Sequence, residues 1–395
     1  MRVLTFTGLY PSSAFPVHGV FVPQRMLRLC ARNGWKLTVV APVPRSLPFL
    51  PGRRGRYFHV PRVENQGSVR VHHPRYFHVP HLSVGRQWRN IVRACRPVLA
   101  ELDRSEGFDL IDSHYLYPDG CAAVFLAREL GKPCVVTARG SDVWVLPKIP
   151  AAARAMREEL PRADRLMAVA GALADGMAEF LGVPREQIVT VPNGVDMELF
   201  HPGDRAATRR NLGLPQEKKI LLSVGRLAPA KRFDLLIDAL AAIPGEPLLV
   251  IVGDGPLRSD HASRVQRLGL EGRVRLAGEQ PPERVAEFMR AADLFALASD
   301  LEGWPNVVME ALASGLHVVA RPVGGVPEIL TGPEGTLVGD LAELPALLSQ
   351  ALETPHDPAH SVARAAELGW DSTLRILTEV FEDVVHARKP ARAVR

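Results

Sequence analysis

Two glutamates, Glu302 and Glu310, bracket the sequence Gly303-Trp304-Pro305-Asn306-Val307-Val308-Met309. The run before them, Ala291 to Ala298, is short and apolar, as a buried parallel strand requires. Pro305 suits the first turn of a helix, where a missing N–H is no loss. Glu302 is therefore expected in the loop at a strand's carboxyl end, and Glu310 about a turn and a half into the next helix. The helix start at Asn306 and Val307 offers unpaired amides and a positive dipole end, a ready site for phosphate. Carboxylates on both sides of an anion site fit a ligand with hydroxyls on both sides of its phosphates, the chemistry of a nucleotide sugar. Glu310 would accept from the ribose and Glu302 from the sugar. The pattern also fits a capped helix with one solvated carboxylate and one at a buried edge.

Cations suited to the same ligand precede this stretch. Gly225-Arg226-Leu227-Ala228-Pro229-Ala230-Lys231-Arg232 follows the strand-like run Lys219–Val224 and leads into an amphipathic helix reaching Ile243. Arg226, at the strand end, is placed to chelate phosphate oxygens. Lys231 and Arg232 are expected in the helix's first turn, where cations oppose the dipole unless an anion lies between. Gly253, after the strand Leu248–Val252, either lets the backbone approach a nucleotide or makes a plain tight turn. Gly19 has the equivalent place after the first strand, as a ligand contact or a loop glycine. The loop Gly8-Leu9-Tyr10-Pro11-Ser12-Ser13 lacks G-x-G-x-x-G, which argues against a nicotinamide or flavin enzyme. His114 ends the strand Phe108–His114, and Arg139 follows the strand Pro133–Thr137, both at carboxyl ends where open α/β sheets bind ligands. Asp142 either accepts from sugar or acceptor hydroxyls or caps the next helix. The four cysteines, Cys30, Cys95, Cys121 and Cys134, have no metal-ligand spacing, and no strand-end loop carries an Asp-x-Asp pair. No metal and no cofactor is expected, only a nucleotide-diphosphate sugar as substrate.

Strand-like and helix-like runs alternate almost throughout, which implies βαβ units and parallel sheets. At 395 residues the chain suits two such domains. The expected division is an acceptor-side domain 1–200, a linker 201–218, a nucleotide-sugar domain 219–360 and a final helix with a basic tail, 361–395. No apolar run reaches transmembrane length, and Met1–Thr7 is too short for a signal peptide's core, so a cytoplasmic location is expected. Residues 45–96 stand apart, with eleven arginines, five histidines and one acid, Glu64. The hexapeptide Arg-Tyr-Phe-His-Val-Pro occurs there twice, at Arg56–Pro61 and Arg75–Pro80. Its prolines and aromatics suggest extended segments. The stretch is either a locally duplicated strand edge or a surface for anionic lipid or a lipid-diphosphate acceptor. No nucleic-acid-binding motif accompanies it, and nucleic acid is not expected as a partner.

The Glu-x7-Glu stretch, Gly225-Arg226-Leu227 with Lys231, and Asn193-Gly194-Val195-Asp196 with Phe200 and Pro202 together resemble the retaining glycosyltransferases of family 4. The resemblance covers essentially the whole chain and is most specific over residues 193–328. It implies the GT-B fold, two Rossmann-like doubly wound domains facing across a cleft, hinged near Asn193–Pro202. It implies donor diphosphate at Arg226 and Lys231 and a last helix that crosses back to the first domain. The family usually has histidine where this chain has Arg139. Arg139-Gly140-Ser141-Asp142 is closer to a subset resembling secreted-polysaccharide and teichuronic-acid-type transferases. The implied reaction moves a sugar to a glycan or glycolipid hydroxyl with retained configuration. Front-face attack, metal-independent departure and domain closure about residues 193–218 are expected with it. A nucleotide-sugar 2-epimerase and a non-catalytic nucleotide-sugar-binding partner are the alternatives.

Overall fold

The computed structural model describes residues 1–50, 52–79 and 84–388. Pro80 of the second hexapeptide and the basic tail residues Lys389, Arg392 and Arg395 lie outside the described residues. The chain divides into two units, Met1–Pro192 with Thr373–Arg395, and Asn193–Ser372.

Unit 1 holds β1 (Arg2–Phe6), β2 (Lys36–Val40), β3 (Val43–Pro44), β4 (Val63–Gln66), β5 (Val69–His72), β6 (Arg75–Tyr76), β7 (Leu110–His114), β8 (Cys134–Ala138), β9 (Arg165–Ala168) and β10 (Ile188–Thr190). Its main sheet runs β10-β9-β8-β7-β1-β2-β5-β4, and β3 pairs separately with β6. Every pairing is parallel except β4 with β5. β7 and β8 are buried along their whole length, as a sheet covered on both faces requires. The helices Phe21–Asn33 and Cys121–Leu130 each stop at a left-handed glycine, Gly34 and Gly131.

Unit 2 holds β11 (Ile220–Val224), β12 (Leu248–Val252), β13 (Val274–Gly278), β14 (Leu294–Leu297), β15 (His317–Ala320) and β16 (Gly335–Leu337). The all-parallel order is β13-β12-β11-β14-β15-β16. The helix Phe233–Ala242 buries Phe233, Leu236, Ile237 and Leu240 in one core with Leu221, Leu249, Ile251 and Leu294 of the sheet. Both units are thus doubly wound α/β layers.

Four segments differ from the sequence reading. The stretch 201–218 is not an open linker: it carries the helix Arg205–Leu212, capped by the Asp204 side chain on the Ala207 amide at 2.9 Å. Arg209 anchors that helix to Asp293 at 2.6 Å. The last helix is two helices, Pro358–Glu367 and Trp370–Arg388, parted at Leu368–Gly369. There the Trp370 backbone passes so close to Gly194 that a Cβ on Gly194 would lie 2.4 Å from the Trp370 nitrogen.

The two hexapeptides do not share one extended form. The first is helical, in Arg53–Arg56 and Tyr57–His59, while the second opens as β6. Arg75 of the second copy donates to the Tyr57 and Phe58 carbonyls of the first, each at 3.1 Å, so one copy caps the other's last turn. Beyond them the helix Gln87–Ser105 runs through Pro97 with a buried face of Trp88, Ile91, Val92, Cys95, Leu99 and Leu102. Among the described residues no helix is long and apolar enough to cross a membrane.

Candidate functional site

In unit 2 the strand order reverses between β11 and β14, and open α/β sheets bind ligands beyond the carboxyl ends at such a switch point. The loops leaving these two strands carry Arg226 with Lys231 and Glu302. The Lys231 Nζ donates to Glu302 Oε1 at 2.6 Å, so the two residues meet across 71 positions of sequence. Arg226 is exposed and has no ion-pair partner among the described residues. Lys231 and Arg232 do not lie in a helical first turn. Lys231 closes the 3-10 turn Pro229–Lys231, and Arg232 takes a left-handed φ of 48° before the helix begins at Phe233.

Asn306 and Val307 open the eight-residue helix Asn306–Ala313, with Pro305 just before it. Their amides have no intrahelical acceptor. The Asn306 side chain accepts from Asn193 at 3.2 Å. Glu310 lies on the second turn, open to solvent only at its edge, and its carboxyl has no hydrogen-bond partner among the described residues. The protein packed around it pushes its ionisation up from 4.5 to about 7. Between the two glutamates the Trp304 indole N–H is buried without a hydrogen-bond partner among the described residues, as is the Ser299 hydroxyl ahead of them. At Gly253 the neighbouring strand already requires a glycine. A Cβ there would lie 1.9 Å from the Gly225 carbonyl, and its φ is 139°. The glycine lets the ends of β11 and β12 touch.

The switch point of unit 1 lies between β1 and β7. His114, the last residue of β7, is fully buried, with Nε2 2.9 Å from Asp112 Oδ2. Its Nδ1 accepts from Arg139 Nη2 at 2.5 Å. An arginine only donates, so the neutral His114 carries its proton on Nε2, which lies near Asp112 without an aligned hydrogen bond. Burial, and then the Arg139 charge, push His114 down to about 4 against the pull of Asp112. Burial would raise Asp112, but His114, Arg25 and Arg139 together hold it low. Burial and the Arg25 charge depress Arg139, whose guanidinium lies 4.9 Å from the Phe21 ring centroid. Arg25, wholly buried, donates to the Val191 carbonyl at 2.5 Å.

Asp142 is consumed by backbone. Oδ1 accepts from the Gly140 and Arg139 amides at 2.7 and 3.0 Å, and Oδ2 from Leu116 at 2.9 Å. Asp142 lies inside the helix Ser141–Trp144 and does not cap it; its carboxylate instead braces the backbone ahead of that helix. Gly19 has φ 67°, and a Cβ on it would lie 2.3 Å from the Leu9 carbonyl, so backbone packing alone requires it. Sequence reasoning missed Asp119. This buried residue accepts from the Gly8 amide at 2.7 Å, and burial raises it to about 7. Its sequence signal was the Pro118-Asp119-Gly120 turn at a strand end. Asp112, Arg25 and Asp300 were missed as well. Among the described residues no group of three or more His, Cys, Asp or Glu is arranged to hold a metal ion.

Residues 22–199 match the family described as Glycosyltransferase Family 4, and residues 204–367 that described as Glycosyl transferases group 1. The chain is 31% identical over 336 residues to the Bacillus subtilis protein named teichuronic acid biosynthesis glycosyltransferase TuaC, covering 83% of each. It is 31% identical over 329 residues to the D-inositol 3-phosphate glycosyltransferase of Acidothermus cellulolyticus, covering 75% of this chain and 72% of that one. Among solved structures, Anabaena HepE in complex with UDP superposes with a TM-score of 0.71 at 20% identity, over 97% of this chain and 100% of that one. Sucrose-phosphate synthase of Thermosynechococcus elongatus gives 0.76 at 21% identity, over 98% and 99%. The architecture described above is that of GT-B glycosyltransferases, and this chain belongs to glycosyltransferase family 4.

Proposed function

We propose that the protein transfers a sugar from a nucleotide-diphosphate sugar to a glycan or glycolipid hydroxyl with retention of configuration, in cell-surface polysaccharide assembly. The observation that carries this reading is the unit 2 switch point. Cations at Arg226 and Lys231, free amides at Asn306 and Val307, and carboxylates at Glu302 and Glu310 lie on the loops and the helix that follow two adjacent strands. Phosphate on the cations and amides, ribose on Glu310 and sugar on Glu302 would use every one of these groups. The HepE structures, described as complexes with UDP, with UDP and glucose, and with UDP-glucose, support a nucleotide-sugar donor. The name of the Bacillus relative supports a polysaccharide acceptor.

In the reaction the bond from the anomeric carbon to the phosphate oxygen breaks as the acceptor oxygen attacks the same face. The acceptor's proton passes to an oxygen of the departing diphosphate. Arg226 and Lys231 stabilise the growing negative charge, a role that needs no metal ion. Unit 1 is assigned the acceptor, and the residues assigned to catalysis are Glu302, Arg139 and His114. The basic, aromatic stretch 45–96 is assigned a peripheral contact with anionic lipid.

Calorimetry with UDP, GDP and ADP, each with and without EDTA, tests the donor assignment. One nucleotide class binds wild type, EDTA changes nothing, and Glu310→Ala lowers the affinity at least about tenfold. If wild type binds none of the three, the donor site is wrongly assigned. Proton NMR of the first-formed sugar product reads the anomeric outcome, and inversion would exclude the retaining reaction.

A further inference from the structure

Lys231 and Glu302 neutralise one another at the very place where each is assigned a different part of the donor. At 2.6 Å the Glu302 carboxylate takes one of the three N–H donors of Lys231 and opposes its charge, so a phosphate there competes with Glu302 for the same ammonium. The loops that carry the pair have two further links that do not involve it. The Asp300 amide donates to the Ala230 carbonyl at 2.8 Å. Arg232 donates from Nη1 to Asp300 at 3.2 Å and from Nε and Nη2 to Asp234 at 3.1 and 3.0 Å. Asp300 is held from its other side by Arg321, which also donates to the Ser299 carbonyl at 3.3 Å. Arg232 keeps a left-handed backbone that side-chain-bearing residues seldom adopt, and this turn aims its guanidinium at both aspartates. The inner pair can therefore open while the outer links keep the loops in register.

We propose that the Lys231–Glu302 ion pair is a latch on the donor site: the donor diphosphate takes Lys231, and Glu302 is thereby released to accept from the sugar, with Arg232 as the positioning residue that keeps both loops in register. The proposal rests on the assignment of unit 2 to the donor. It makes occupation ordered within one site, nucleotide first and sugar contacts second. It also sets a cost on free nucleotide binding, because Glu302 competes with phosphate for one ammonium group.

The test is calorimetry with UDP, or with GDP or ADP if one of those is what wild type binds. Glu302→Gln removes the competitor, and the free nucleoside diphosphate binds about three- to tenfold tighter than to wild type. The gain disappears in a Lys231→Met background. Glu302→Asp, one methylene shorter, gives a smaller gain in the same direction. Arg232→Gly relieves the backbone, so its melting temperature stays near wild type while nucleotide affinity falls about tenfold, and Arg232→Lys recovers part of the loss. Unchanged or weaker nucleotide binding in Glu302→Gln overturns the latch. Wild-type affinity in Arg232→Gly overturns the positioning role. Absence of nucleotide binding by wild type removes the donor assignment itself, a separate outcome from either.

Discussion

The Glu310 carboxyl meets no donor among the described residues, and burial lifts its ionisation from 4.5 to about 7. Between those values the folded chain holds a proton that the unfolded chain has released. Stability therefore falls as pH rises from about 4.5 to about 7 and levels off above. Glu310→Gln removes this dependence and, at pH 8, gains on the order of 1–3 kcal/mol over wild type in chemical denaturation. An equal pH dependence in both proteins would refute the assignment. With ribose on Glu310 as proposed, nucleotide binding has the opposite sign, because hydroxyls donate best to the ionised form: affinity is expected to rise through pH 7 in wild type and not in Glu310→Gln. The places of Arg226, Lys231 and Glu310 beyond strand ends were readable from sequence because apolar runs mark where buried strands stop. Their pairing was not. Nothing in the sequence links Lys231 to Glu302 across 71 positions, and the left-handed turn at Arg232 carries no glycine to announce it.

At the scale of elements, β11 and β12 end in contact at Gly225 and Gly253. Gly253→Ala would drive a Cβ to within 1.9 Å of the Gly225 carbonyl. The expected cost is about 1–3 kcal/mol, seen as a lower denaturation midpoint, with weaker nucleotide binding because Arg226 follows Gly225 directly. A stability equal to wild type would show that the strand ends part freely. Alternating strand and helix runs made most of this framework legible, since buried parallel strands read as plain apolar runs. Residues 45–96 resisted the same reading for a physical reason. Arg-Tyr-Phe-His-Val-Pro is helical at Tyr57 and a strand at Arg75, so partners rather than local preference decide its form. The helix Gln87–Ser105 was hidden by its arginines and by Pro97, although its apolar face recurs at helical spacing.

At the scale of the molecule, the basic stretch bears on where the enzyme works. Phe49 and Phe77 are 77% and 62% exposed, and Phe58 is exposed beside them in sequence. Arg54, Arg56, Arg62, Arg89 and Arg93 are exposed in the same stretch, whereas Arg75 is committed to the first hexapeptide. Sedimentation with vesicles containing phosphatidylglycerol should show binding that weakens as salt is raised and falls about tenfold in Phe49→Ser/Phe77→Ser. Binding that ignores salt, or none at all, would argue against a lipid surface. The division of the chain has a different consequence. Unit 2 is one continuous segment, Asn193–Ser372, inserted into unit 1, whose last helix begins its contribution at Thr373. That helix supplies buried Leu377, Phe381 and Val384, stacks Phe381 on Trp35 at 6.2 Å, and gives Thr378 to Asn33. A ribosome delivers these residues only after unit 2 has emerged, so the unit synthesised first is the one completed last. During translation the first 192 residues wait with Trp35 uncovered, while unit 2, a single continuous segment, can be whole before the other half has finished folding.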